Sequence, residues 1–155
     1  METSVSNRLM ALTSAIKARW GSLLRNEMGA SRSPSAVITP DMLILMLDET
    51  LLRLFKRVEE HAKTGASLRL PKRRQRKKTA CRCGLHLLFN YYLAGTRALR
   101  EVLPREFGRD RVLVCHCLNL LAHEEIEGLA LLCQFRGSPT CSLLPTKAET
   151  AAITA

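Results

Sequence analysis

Apolar side chains return every third or fourth position along four stretches of the chain, a period that belongs to α-helices rather than strands. Leu9, Leu12, Ile16, Trp20, Leu23 and Leu24 form the first stripe, with Lys17, Arg19 and Arg25 largely outside it. Ser6 is placed to cap this helix, which is predicted to run to about Met28 and to stop at Gly29. A Ser-rich loop with Pro34 follows. Thr39-Pro40-Asp41 then opens a second helix: threonine caps, proline suits the first helical position, and aspartate favours the positive end of the helix dipole. Leu43, Leu47, Leu51, Leu54 and Val58 line one face as far as His61. Met42, Ile44, Leu45, Met46, Leu52 and Phe55 widen that face until the first half is apolar nearly all round, as in a central helix.

The third predicted helix runs from about Cys83 to Leu103, with Leu85, Leu88, Phe89, Tyr92, Leu93, Leu99, Val102 and Leu103 as its apolar positions. Gly95 in its middle costs about 1 kcal/mol relative to alanine, which implies close approach of a neighbouring helix. Pro104 and Gly108 make a turn. The fourth helix runs from about Asp110 to Phe135, with Val112, Cys115, Leu118, Ala122, Ile126, Leu129, Leu132 and Cys133 on its inner side. Gly137-Ser138-Pro139 ends it. The predicted fold is all-α, a four-helix bundle or globin-like helical domain over residues 6–136. A basic loop over 64–80 joins the second and third helices, and 137–155 reads as a flexible C-terminal tail.

Composition agrees with this pattern. The chain has 155 residues, 46% of them hydrophobic but only 5% aromatic, so leucine, alanine and methionine supply most of the apolar mass. Such residues favour helices over strands. No uninterrupted apolar stretch is long enough for a transmembrane helix, and no apolar segment behind a basic start marks a secretory signal. The expectation is a cytoplasmic protein with reduced thiols.

Charge changes the picture locally. The chain carries a net charge of +10, yet eight of its 24 basic residues fall between Arg69 and Arg82 with no acid among them. The remainder is nearly balanced. Lys72, Arg73, Arg74, Arg76, Lys77 and Lys78 are the candidate contacts to an anion. They suit the phosphates of nucleic acid or an anionic membrane surface, or they are simply a solvated loop. Without interleaved aromatics such a run brings charge and no base stacking.

Cys81-Arg-Cys83 and Cys115-His-Cys117 supply candidate metal ligands in Cys81, Cys83, Cys115 and Cys117. A structural zinc ion needs about four converging ligands, usually from Cys-x2–4-Cys turns. Residues two apart on a helix point about 200° apart, so Cys115 and Cys117 converge only if the helix breaks between them. Packed thiols are the simpler alternative, and a redox pair at Cys81 and Cys83 is another, because neighbouring positive charge lowers thiol pKa. His123-Glu124-Glu125-Ile126-Glu127 lacks the second histidine of a His-Glu-x-x-His zinc helix and reads as a solvated face. No nucleophile elbow, phosphate loop or dinucleotide glycine motif occurs, so neither a catalytic residue nor a cofactor is expected. Trp20, Tyr91 and Tyr92 either pack internally or sit at a partner interface.

Four segments together resemble the N-terminal sensor domain of RsbT co-antagonist proteins, the RsbRD type. They are Ile16-Lys-Ala-Arg-Trp20-Gly-Ser-Leu-Leu24-Arg, the stretch from Thr39-Pro-Asp-Met-Leu to Leu54-Phe55, Cys83-Gly-Leu85 through Tyr91-Tyr92 to Leu103, and a last helix bearing His123-Glu124-Glu125. The likeness spans about residues 8 to 135. It implies a globin-like helical fold without catalytic residues, acting by dimerisation and signal reception. The sequence therefore predicts a non-enzymatic regulatory or sensor-type domain that works in signalling through protein association, with a protein partner or homodimer. The alternative is a nucleic-acid-binding accessory protein using the basic loop at 69–82.

Overall fold

The structure is a computed structural model, and it describes residues 4–28, 40–65 and 85–132. All six regular elements longer than three residues in these stretches are α-helices, and no strand occurs among the described residues. They are α1 (Val5–Ala11), α2 (Thr13–Met28), α3 (Pro40–Leu45), α4 (Leu47–Thr64), α5 (Leu85–Val102) and α6 (Arg109–Leu132). A short 3-10 turn, Arg105–Phe107, links the last two. The all-α prediction holds. Among the described residues no helix is long and apolar enough to cross a membrane.

The first two predicted helices are each divided. At Leu12 the backbone N–H bonds to Leu9 O at 2.9 Å instead of continuing the four-residue ladder. The resulting offset lets α1 lean on α4 while α2 packs along α5. At Met46 the break is slighter. Met46 N–H still reaches Met42 O and Thr50 N–H still reaches Met46 O, while ψ at Met46 relaxes to −11°. Gly65 ends α4 in the left-handed conformation, with φ of 60°, and its N–H closes on His61 O. Glycine adopts that conformation without the Cβ clash other residues meet.

The long helices form a ring in the order α2, α5, α6, α4. Cross-helix pairs fix their directions. Arg19 with Glu101 and Trp20 with Gly95 set α2 antiparallel to α5. Tyr92 with Glu125, and Arg111 with the Arg100 carbonyl, set α5 antiparallel to α6. Arg57 with Glu124 and His61 with His116 set α6 antiparallel to α4. The diagonal helices α4 and α5 are consequently parallel. Gly65 and Leu85 lie at opposite ends of the ring, about 27 Å apart along its axis, given 1.5 Å per residue over the 18 residues of α5. Thr64 and Gly65, predicted to begin the basic loop, form the end of α4 instead; the rest of that loop and the C-terminal tail fall outside the described residues.

One core occupies the ring. Ile16, Trp20 and Leu24 from α2, Leu47, Leu51, Leu54 and Val58 from α4, Leu88, Tyr91 and Leu99 from α5, and Val114, Leu118 and Leu121 from α6 are all buried. Fully burying a leucine- or phenylalanine-sized side chain is worth roughly 1.5–3 kcal/mol, so this core dominates stability. Two expectations need correcting. The second predicted helix is not central: Met42, Leu45 and Leu52 point outward, because the described neighbours of α3 and α4 cover the opposite face. Val112 likewise lies on the outer side of α6.

Gly95 has the role its sequence position implied. A Cβ built there would sit 2.7 Å from Cε2 and Cη2 of Trp20, inside van der Waals contact. Gly95→Ala is expected to destabilise the protein by about 1–3 kcal/mol in urea unfolding, the usual cost of overpacking, although alanine is the better helix former. Unchanged or increased stability would show that the indole has room to move.

Candidate functional site

Three groups of side chains stand out against the core: an aromatic relay inside it, a pair of thiols on α6, and two exposed surfaces. The relay begins at Trp20, whose Nε1–H donates to the Tyr91 carbonyl at 2.9 Å while the indole lies against the Tyr91 ring, centroids 4.9 Å apart. The Tyr91 hydroxyl donates to Thr50 Oγ1 at 2.7 Å across the diagonal. The Tyr92 ring meets Tyr91 edge to face, and its hydroxyl donates to the Glu125 carboxylate. Arg53 reaches the same carboxylate at 3.6 Å. Burial pushes both phenols well above the ordinary tyrosine range, with the bond to Glu125 adding to the effect at Tyr92, so both remain neutral donors at physiological pH.

Trp20 and Tyr91 are wholly buried and Tyr92 is 4% exposed, all within this chain's own core. The partner-interface expectation for Trp20, Tyr91 and Tyr92 is therefore corrected. They hold α2, α4, α5 and α6 together, and their polar atoms are already satisfied internally. Thr50 and Glu125 complete the relay and were missed in the sequence. Thr50 carries a recognisable signal, a lone hydroxyl on the buried stripe beside Leu47, Leu51 and Leu54.

Of the candidate thiols, Cys81 and Cys83 lie outside the described residues, as do Lys72, Arg73, Arg74, Arg76, Lys77 and Lys78. Helix α6 continues unbroken through Cys115 and Cys117. The condition for both to ligate one metal is thus not met. Cys117 is buried in the core and Cys115 is half-buried. Burial pushes the Cys117 thiol up to about 11, against the opposing field of Arg57. Burial also raises Cys115, against Arg100 and Arg111. Among the described residues no group of three or more His, Cys, Asp or Glu could hold a metal ion. On the predicted wet face of α6, His123 and Glu124 are exposed while Glu125 turns inward to Tyr92.

The first exposed surface is an apolar ridge on the outside of α3 and α4. Met42, Leu45 and Leu52 are 47%, 81% and 69% exposed. Spacings of three and seven place them on one stripe, continued through Met46 by the unbroken hydrogen bonds there. The second is the corner between α5 and α6, where Arg100, Arg105 and Arg109 are exposed and Arg111 is held against the Arg100 carbonyl. The nearby acids are largely committed: Glu101 to Arg19 and Arg97, and Asp110 to Arg8. Arg8 also lies 4.0 Å over the Phe107 ring.

No family model, no curated protein and no solved structure matches the chain. The likeness to the RsbRD-type domain rests on the quoted residues alone.

Two measurements follow from the interior. Tyr91→Phe removes the donor to Thr50 and is expected to cost about 1 kcal/mol of stability by urea unfolding, the net value of a typical hydrogen bond. Cys117 is expected to resist iodoacetamide at pH 7.5 in the native state and to be alkylated at once in urea, as read by peptide mass spectrometry. Labelling of native Cys117 as fast as in urea would contradict its burial.

Proposed function

We propose that the chain is a non-enzymatic, cytoplasmic helical regulatory domain of the sensor type, working in signalling by protein–protein association, with a second copy of itself as partner. The apolar ridge on α3 and α4 supports this reading. Scattered exposed leucines are ordinary, whereas three large apolar side chains on one stripe are what an association surface requires. Glu49 and Lys56 stand on the same stripe to either side of Leu52, and neither takes part in an ion pair among the described residues. In a two-fold antiparallel pairing centred near Leu52, Glu49 of each copy faces Lys56 of the other, which makes the surface self-complementary. The RsbRD-type likeness points the same way.

A second reading, sequence-independent binding of nucleic acid, is favoured by the basic run at 69–82 together with the arginine corner of Arg100, Arg105, Arg109 and Arg111. Arginine forks suit phosphate oxygens, and no exposed aromatic stands among these four to read a base.

Light scattering over a concentration series separates the two. The first reading expects a dimer. It also expects Leu45→Glu with Leu52→Glu to weaken dimerisation at least about tenfold, equivalent to 1.4 kcal/mol, without altering the helical circular dichroism. A strict monomer at high concentration overturns it. The second expects affinity for a DNA duplex that falls steeply with salt and is lost when Lys72, Arg73, Arg74, Arg76, Lys77 and Lys78 are neutralised. Retained affinity in that variant removes it.

A further inference from the structure

Buried polar atoms in folded chains are nearly always partnered, since leaving one dry and unbonded costs about 1–3 kcal/mol. Among the described residues two buried side-chain nitrogens or oxygens have no hydrogen-bond partner, Nδ1 of His61 and Nδ1 of His116. The two belong to rings that touch. Their centroids are 6.0 Å apart and their planes cross at 77°, edge to face. His61 stands on the last turn of α4 and His116 in the first third of α6, so the contact closes one end of the α4–α6 seam. His116 is only 4% exposed, while His61 is half-buried at the rim.

We infer that this pair is an acid-sensitive latch, in which the edge-to-face imidazoles hold the C-terminal turn of α4 against α6 and protonation of His116 releases that end of α4. The physical reason is the absence of an acceptor. An imidazolium carries N–H donors at both ring nitrogens, and neither Nδ1 has anything to donate to in the closed arrangement. A charge on one ring also opposes a charge on the other at this separation.

The charged groups on the surrounding helices do not relieve this. On α4, Arg57 is paired with Glu124 of α6, Lys63 is paired with Glu59, and Glu60 is exposed. On α1, Arg8 is committed to Asp110, and on α5, Arg100 lies by Cys115. On α6 the adjacent thiols are neutral, because burial raises both. Burial and then the field of His61 lower the basicity of His116 below the ordinary histidine value of 6.5. The released state, with His116 in water, therefore takes up a proton first as the pH falls. The contact contributes fully above about 6.5 and is lost as the pH drops from there through the lower value of His116 in the closed form. The ligand is a proton rather than a metal, since zinc needs about four donors and this contact supplies two. The inference is independent of whether the chain dimerises.

Two measurements on the full chain, in buffers containing EDTA, test it. In wild-type protein, histidine NMR is expected to place the titration of His116 below the ordinary histidine value of 6.5. Hydrogen exchange, corrected for its intrinsic pH dependence, is expected to show residues 58–65 losing protection between pH 7.5 and 5.5 while residues 91–99 keep theirs. For His116 alone that loss is expected to be roughly five- to tenfold, because a histidine in water, near 6.5, is protonated only about ten to one at pH 5.5. The double variant His61→Phe and His116→Phe is expected to abolish that pH dependence, and His123→Gln to leave it intact. Unchanged pH dependence in the double variant overturns the latch. So does titration of His116 at or above 6.5, a result that needs no variant to fold.

Discussion

The indole of Trp20 lying against a bare backbone at Gly95 is the constraint on which the rest of the structure depends. Only without a Cβ can α5 approach α2 this closely, and the approach carries the Tyr91 carbonyl to 2.9 Å from the indole nitrogen. That bond fixes the register of the two helices. It also orients Tyr91, whose hydroxyl then spans the core to Thr50 on the diagonal helix. With α2 and α4 both registered against α5, the ring can close in one way, through α6 and the Tyr92–Glu125 bond. A satisfied polar network at the centre of an apolar core specifies one arrangement more sharply than apolar packing alone, since every slipped register leaves one of its members unbonded.

The directions of the helices have a consequence for the connection between α4 and α5. Neighbours in the ring are antiparallel and can be joined by short turns, as α5 and α6 are through Pro104 to Gly108. Diagonal helices are parallel, so the end of α4 at Gly65 and the start of α5 at Leu85 stand at opposite ends of the ring. A long segment at that point follows from topology. Its length does not by itself argue for a function, and its eight positive charges are a separate property of the residues placed there.

Helix positions, the close approach at Gly95 and the all-α class were legible because each depends on local period or on one residue's missing side chain. Two helix breaks were not. Leu12 and Met46 are good helix residues on the apolar stripe, and what divides the helices there is the need to face different neighbours on either side. The breadth of the apolar face from Met42 to Leu52 was read as centrality, but a residue pattern gives the width of a face and not the number of neighbours available to cover it. The same limit applies to Trp20, Tyr91 and Tyr92. Large aromatics with a polar tip suit both a core and an interface, and only the positions of Thr50, Glu125 and the Tyr91 carbonyl decide between them. His61 and His116 are 55 positions apart in the numbering, and nothing local marks them as touching.

How a contact with two unsatisfied nitrogens survives in such a core follows from where it sits. The relay around Trp20 is deep, and its loss would cost the whole ring. The histidine contact lies at the end of α4, one turn beyond the Arg57–Glu124 pair that joins α4 to α6. That pair is strong enough in the folded state to hold the Glu124 carboxyl below its usual range, yet its members are partly exposed, and such pairs contribute about 1 kcal/mol or less. Opening there can stay local, because stability within a domain varies from near zero at frayed ends to its full value in the core. A cost of about 1–3 kcal/mol for each unpaired nitrogen is therefore borne by the segment with least to lose. The same weakness is what allows a single proton to shift its equilibrium without touching Trp20.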